Sequence, residues 1–162
     1  MNEKLKYFFI FFFSLLAIIS ILKGLYNAQI YSFDFHLSPA VLVSEGINHY
    51  QYILDGKHDG GPSDKITGFV NGEYAHGLYV LFIPFTWLDL NISKFLWSLI
   101  NLFLSISIPI LICKKFQLSK IETFAKVIFF LTSKIFRIHI GYGQQSIFIF
   151  FFFLLPFLYQ SR

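Results

Sequence analysis

The stretch YFFIFFFSLLAIISILKGL, Tyr7 to Leu25, decides the fold. From Tyr7 to Leu22 it holds no charged side chain, and Lys4 and Lys6 precede it. A helix rises about 1.5 Å per residue, so such a run is long enough to cross the hydrocarbon layer of a bilayer. Within ten residues of its end comes Ser32-Phe33-Asp34-Phe35-His36. That places one carboxylate, flanked by aromatics, at the expected boundary between lipid and water. Desolvating a carboxylate is costly, so its presence there points first to function.

The composition outside this run agrees. The chain has 162 residues, of which 56% are hydrophobic, 21% aromatic and 14% charged, with mean hydropathy +0.62. Soluble domains carry about 25% charged residues, so an integral membrane protein is expected. Basic residues form no stripe, which argues against nucleic acid as a partner. The single Cys113 lies beside Lys114 and Lys115 and reads as an inert thiol. The first run exceeds a cleavable signal core and no small-x-small site follows, so it reads as an uncleaved anchor.

Four stretches are expected to span: residues 7–25, 95–113, 121–138 (interrupted by Glu122, Lys126 and Lys134) and 147–160. Residues 77–90 contain Pro84 and fit an interfacial or re-entrant helix better than a crossing. If they do not cross, Lys4, Lys6, Lys114, Lys115, Lys120 and Arg162 share one side, as the positive-inside rule favours. The N-terminus is then cytoplasmic in a bacterial-type plasma membrane. Residues 26–94 face outward and carry seven of the nine acidic residues. Asp34 and the Gly141-Tyr142-Gly143-Gln144 turn then share the outer face. Ser38-Pro39 reads as a helix start and Gly46 as its stop, giving a second interfacial helix over 39–45. Residues 55–72, rich in Gly, Asp and Lys, read as a loop. The predicted class is an all-α membrane protein of about four transmembrane helices, with short interfacial helices in the first outer loop.

Several groups offer chemistry. Asp34 has the form of a general base that takes a proton from an acceptor hydroxyl; the alternative is a solvated or capping carboxylate. Lys134, Arg137 and His139 cluster near the outer end of the third stretch. They suit a lipid phosphate, with Arg137 as the bidentate donor, or else lysine and arginine reach out to bulk head groups. Gly143 and Gln144 lie in a turn whose backbone amides can meet sugar hydroxyls, or which simply joins two helices. Glu122 and Lys126 read as an i, i+4 ion pair. Trp87, Trp97 and Tyr79 read as interface anchors. Asp34-x-His36 offers two metal ligands where a site needs about four, so no metal is assigned; a divalent cation has no support and no cofactor is expected.

The order of these pieces resembles the N-terminal part of the C-type membrane glycosyltransferases (GT-C fold). It is most similar to glycosyltransferase family 87, the polyprenol-phosphate-mannose-dependent α-mannosyltransferase-like group. Three stretches carry the resemblance: Asp34-Phe35-His36 through Glu45-Gly46-Ile47-Asn48-His49-Tyr50; Glu73-Tyr74-Ala75-His76-Gly77-Leu78 with Pro84 and Leu96-Trp97-Ser98-Leu99-Ile100-Asn101; and Gly143-Gln144-Gln145-Ser146. His76-Gly77 replaces the usual Pro-Pro, and Ser146 the usual Asn. The resemblance implies a polyprenyl-phosphate sugar donor, a sugar or lipid-linked acceptor hydroxyl, and inverting transfer of a hexosyl (mannosyl-like) group. Asp34 matches the catalytic Asp. Lys134, Arg137, His139, Gly143, Gln144, Tyr74 and His76 are the implied substrate contacts. Members of the family are much longer, so the chain is expected to be a fragment or one piece of a split enzyme, inactive alone. The competing expectation is a small non-catalytic membrane protein that acts as an assembly partner. A transporter needs ionisable groups at mid-membrane, where the first two spans have none.

Overall fold

The computed structural model describes residues 3–31, 37–56 and 79–159. Asp34, Tyr74 and His76 lie outside the described residues. The helices are α1 (Glu3–Ile30), α2 (Leu37–Ser44), α3 (His49–Leu54), α4 (Leu90–Lys115), α5 (Lys120–Thr132), α6 (Lys134–Tyr142) and α7 (Ser146–Tyr159), with a 3₁₀ turn at Ile83–Trp87. The chain divides into two compact units, residues 1–34 with 95–162, and residues 35–94.

In the first unit α1 lies against α5 and α6. Ala17, Val127, Ile128, Leu131, Phe136 and Ile140 form the buried seam. The rest of α1 turns outward: Phe8, Phe11, Ile18 and Leu22 are each more than half exposed. A soluble helix would bury such a face; a helix surrounded by lipid has no reason to. Ser14 donates to the Ile10 carbonyl at 2.7 Å, so its hydroxyl needs no outside partner. Leu104 and Ile108 of α4 and Ile147 of α7 make a second cluster.

Two helices among the described residues are long and apolar enough to cross a bilayer, within Tyr7–Ile30 and Leu90–Lys115. A third exists if α6 and α7, bent by 111° at their junction, form one broken span. The all-helical membrane class therefore holds. The stretch 121–138 is not one helix, however. It breaks at Ser133, whose ψ of 150° is extended and whose hydroxyl accepts from the Phe136 amide at 3.1 Å. A serine cap thus starts α6 afresh and puts Lys134 and Arg137 in its first turns.

A further expectation changes. Glu122 spends its carboxylate on a capping box, accepting from the Ser119 amide and hydroxyl at 2.9 and 2.7 Å. The start of α5 claims it first, and Lys126 one turn on adds a weaker attraction. At the end of α4, Gln117 takes φ 55° and the Leu118 amide donates to Cys113 at 3.0 Å, which stops the helix after the two lysines.

In the second unit α2 packs on the 3₁₀ turn. The helix expected over 39–45 runs Leu37–Ser44, starting two residues earlier than Pro39 suggests. In place of one helix over 77–90, the described part holds helical Tyr79 and Val80, the 3₁₀ turn with Pro84 near its start, and Leu90 as the first residue of α4. Leu42, Tyr79 and Phe82 are the unit's buried core, and the His49 ring meets Tyr79 edge-on at 4.5 Å. Of the three expected interface anchors only Trp87 is exposed; Tyr79 and Trp97 are buried, at 0% and 3%.

Candidate functional site

The crossing of α1 and α6 is unusually close because glycines stand on both helices. A Cβ on Gly24 would meet Ile140 at 3.3 Å, and one on Gly141 would meet the Asn27 Cβ at 2.9 Å. Small residues let membrane helices approach backbone to backbone. Gly141→Ala is expected to force α6 away from α1 and destabilise the fold by about 1–3 kcal/mol. The readout is the thermal unfolding midpoint in detergent; an unchanged midpoint would mean that the crossing is not tight.

Beside this crossing lies an open cavity of about 270 Å³. Lys23 and Asn27 of α1 and Tyr31 just past its end line one side, at i, i+4 and i+8; the Tyr31 amide still donates to the Asn27 carbonyl at 2.8 Å. Lys134 and Arg137 line the other, with Tyr142 at the end. Three cations share the cavity, and no carboxylate is among the described residues that line it. The Arg137 Nε is buried and has no hydrogen-bond partner among the described residues. Like charges that share a cavity repel one another, the less so where water screens them. The arrangement is therefore suited to an oxyanion that neutralises it.

His139 does not join Lys134 and Arg137. It lies on another side of α6 and lines a separate cavity of about 280 Å³, with Ser105 of α4 and Ser146 of α7. Its Nδ1 is 3.0 Å from the Ser146 hydroxyl. The sequence grouping of three cationic residues thus resolves into two on one face and one on another. Lys23, Asn27 and Tyr31 were missed in the sequence. Their only signal was Lys23 itself, the single charge inside the first run, with polar residues one and two turns beyond it.

The Gly143-Gln144 bend serves as a helix end. Gly143 takes φ 70°, a left-handed conformation open to glycine at little cost. Its amide donates to Ile140 at 3.2 Å, and the Gln144 amide to His139 at 3.1 Å. These two N–H groups close α6 rather than await a ligand. The bend is also tethered: the Trp97 indole donates to the Gly143 carbonyl at 2.8 Å in a buried bond. Gln144 is half-buried, whereas its neighbour Gln145 is 2% exposed. Neither amide atom of Gln145, nor of the fully buried Asn101, has a hydrogen-bond partner among the described residues. An unmet buried polar group costs about 1–3 kcal/mol.

The fold and the cavity together describe an all-helical integral membrane protein in which Lys23, Lys134 and Arg137 share one cavity. A model of glycosyltransferase family 87 matches residues 74–162, more than half of the chain, and the chain belongs to that family. No curated protein and no solved structure matches it.

Proposed function

We propose that this chain carries the donor site of a membrane glycosyltransferase that uses a polyprenyl-phosphate sugar. Lys23, Lys134 and Arg137 hold the donor phosphate, and Asp34 is the general base. The acceptor hydroxyl attacks the anomeric carbon as the bond from that carbon to the phosphate oxygen breaks. The hydroxyl proton passes to the Asp34 carboxylate, and polyprenyl phosphate leaves with the bonding pair. The configuration inverts. The cations stabilise charge that grows on the leaving phosphate.

One observation carries this reading: three cations from two helices converge on a cavity whose described lining has no acid. Chain reach supports the base. Tyr31 lines the same cavity, and Asp34 follows it by three residues, which span at most about 11 Å. The direction of the helices supports an outer-face site. Phe9 and Phe13 of α1 share a groove with Ile121 and Ala125 of α5, so both helices begin at the same end. The dilysine pair just before α5 then stands near that end, opposite the cationic cavity, as the positive-inside rule asks of a cytoplasmic N-terminus.

The test is binding of polyprenyl phosphate by the chain in lipid nanodiscs. Lys23→Gln is expected to weaken it about tenfold, the loss of one charge-assisted contact. Lys126→Gln, at a residue that lines a different groove with Phe9 and Phe13, is expected to leave it unchanged. Equal affinity in wild type and Lys23→Gln would remove the cavity from consideration as the phosphate site.

A further inference from the structure

Residues 79–88, just ahead of α4, hold no charged side chain. They fold as a two-faced elbow around the 3₁₀ turn. Tyr79, Phe82 and Thr86 are buried, whereas Trp87 is 77% exposed and Val80, Leu81 and Pro84 also turn outward. Hydrogen bonds hold the elbow on the first turn of α4. The Ser93 hydroxyl donates to the Phe85 carbonyl at 2.9 Å, the Ser93 amide to the Asp89 carbonyl at 2.9 Å, and the Asn91 amide to the Asp89 carboxylate at 2.8 Å. The backbone of the elbow is also paired within itself. The amides of Phe82, Phe85 and Leu88 donate to the carbonyls of Tyr79, Phe82 and Phe85, and the Thr86 hydroxyl donates to the Ile83 carbonyl at 2.8 Å. Pro84 has no N–H to satisfy.

A loop in water can leave its backbone groups to solvent, but one seated in a bilayer must satisfy them internally. An outward face of valine, leucine, proline and tryptophan, with no charge among them, suits the same surroundings. Helix length sets the level. α4 has 26 residues, about 39 Å at 1.5 Å each, against a hydrocarbon core of about 30 Å. Lys114 and Lys115 reach the head groups at its far end. Counted back from Cys113, a crossing of about 20 residues ends near Lys94. The first turn of α4 and the elbow then fall in the head-group layer. Tryptophan is enriched there, because its ring is apolar and its N–H polar. We propose that the outward face of this elbow, made by Val80, Leu81 and Trp87, is a lipid-binding surface that rests in the leaflet opposite Lys114 and Lys115. It fixes how far α4 sinks into the bilayer. The contact does not depend on the sugar-transfer reading.

The protein has two tryptophans, Trp87 and the buried Trp97, so fluorescence can be assigned to the elbow. In phosphatidylcholine nanodiscs, Trp97→Phe leaves Trp87 as the sole emitter. Should that variant fail to fold, the difference between wild type and Trp87→Phe isolates the same signal. The quenchers are iodide in the water and phospholipid spin-labelled either near the head group or near the chain end. The label near the head group is expected to quench Trp87 about twofold or more over the chain-end label, as for a ring held at the interface. Iodide is expected to quench it less than about half as well as free tryptophan, because the ring is seated out of the water. Strong quenching by iodide with none from lipid would place Trp87 in water and overturn the proposal. Protection from all three quenchers would mean that protein covers this face. Stronger quenching by the chain-end label would mean that the segment enters the hydrocarbon core. Either of these results also overturns it.

Discussion

Asp34→Asn, made in the protein in its membrane, is expected to cut sugar transfer by about 10²- to 10⁴-fold, the range for removal of a general base. Asparagine keeps the size and polarity of the side chain but cannot take up the acceptor proton. Donor binding should change less than threefold, because the proposed phosphate site is built from cations on α1 and α6 and not from this group. Transfer measured with a radiolabelled donor in membrane vesicles gives the first number, and nanodisc titration the second. If transfer survived the substitution, Asp34 would not be the base. If donor binding fell with it, the carboxylate would be acting on the ground state.

Arg137→Gln is expected to weaken binding of polyprenyl phosphate by about 10- to 100-fold, the worth of one or two charge-assisted hydrogen bonds. The reason lies in burial. Lys134 is exposed and free to reach bulk head groups, but the Arg137 Nε is shut from solvent with no partner among the described residues. Glutamine removes the charge and retains a donor, so a packing role would be nearly preserved. A loss within twofold in nanodiscs made of neutral lipid would assign Arg137 to structure. Adding anionic phospholipid should compete with the probe for wild type and much less for the variant.

The periodic and compositional signals were readable from the chain. Tyr7–Leu25 and Phe95–Cys113 lie inside the two long helices, because an apolar run of that length has few other options. The resemblance carried by Trp97, Asn101 and the glycine-glutamine turn agrees with the family match over residues 74–162. Short-range hydrogen-bond competition was harder to read. Ser133 and Ser119 each divert a neighbouring element through one hydroxyl, and a hydropathy profile does not register a single cap. The site was readable only in part because proximity between α1 and α6 depends on Gly24 and Gly141, more than a hundred residues apart. Lys23 looks like the frayed end of a span until that crossing is known. The same holds for Gln145, whose burial follows from the Trp97 tether and not from any local pattern.

Main-chain contact at Gly24 and Gly141 has one more consequence. It fixes the distance between the two backbones that carry Lys23 and Arg137, and leaves the long side chains to make the finer adjustment. Under the proposed reading, an oxyanion entering there orders side chains but need not move the helices, so less ordering entropy opposes its capture.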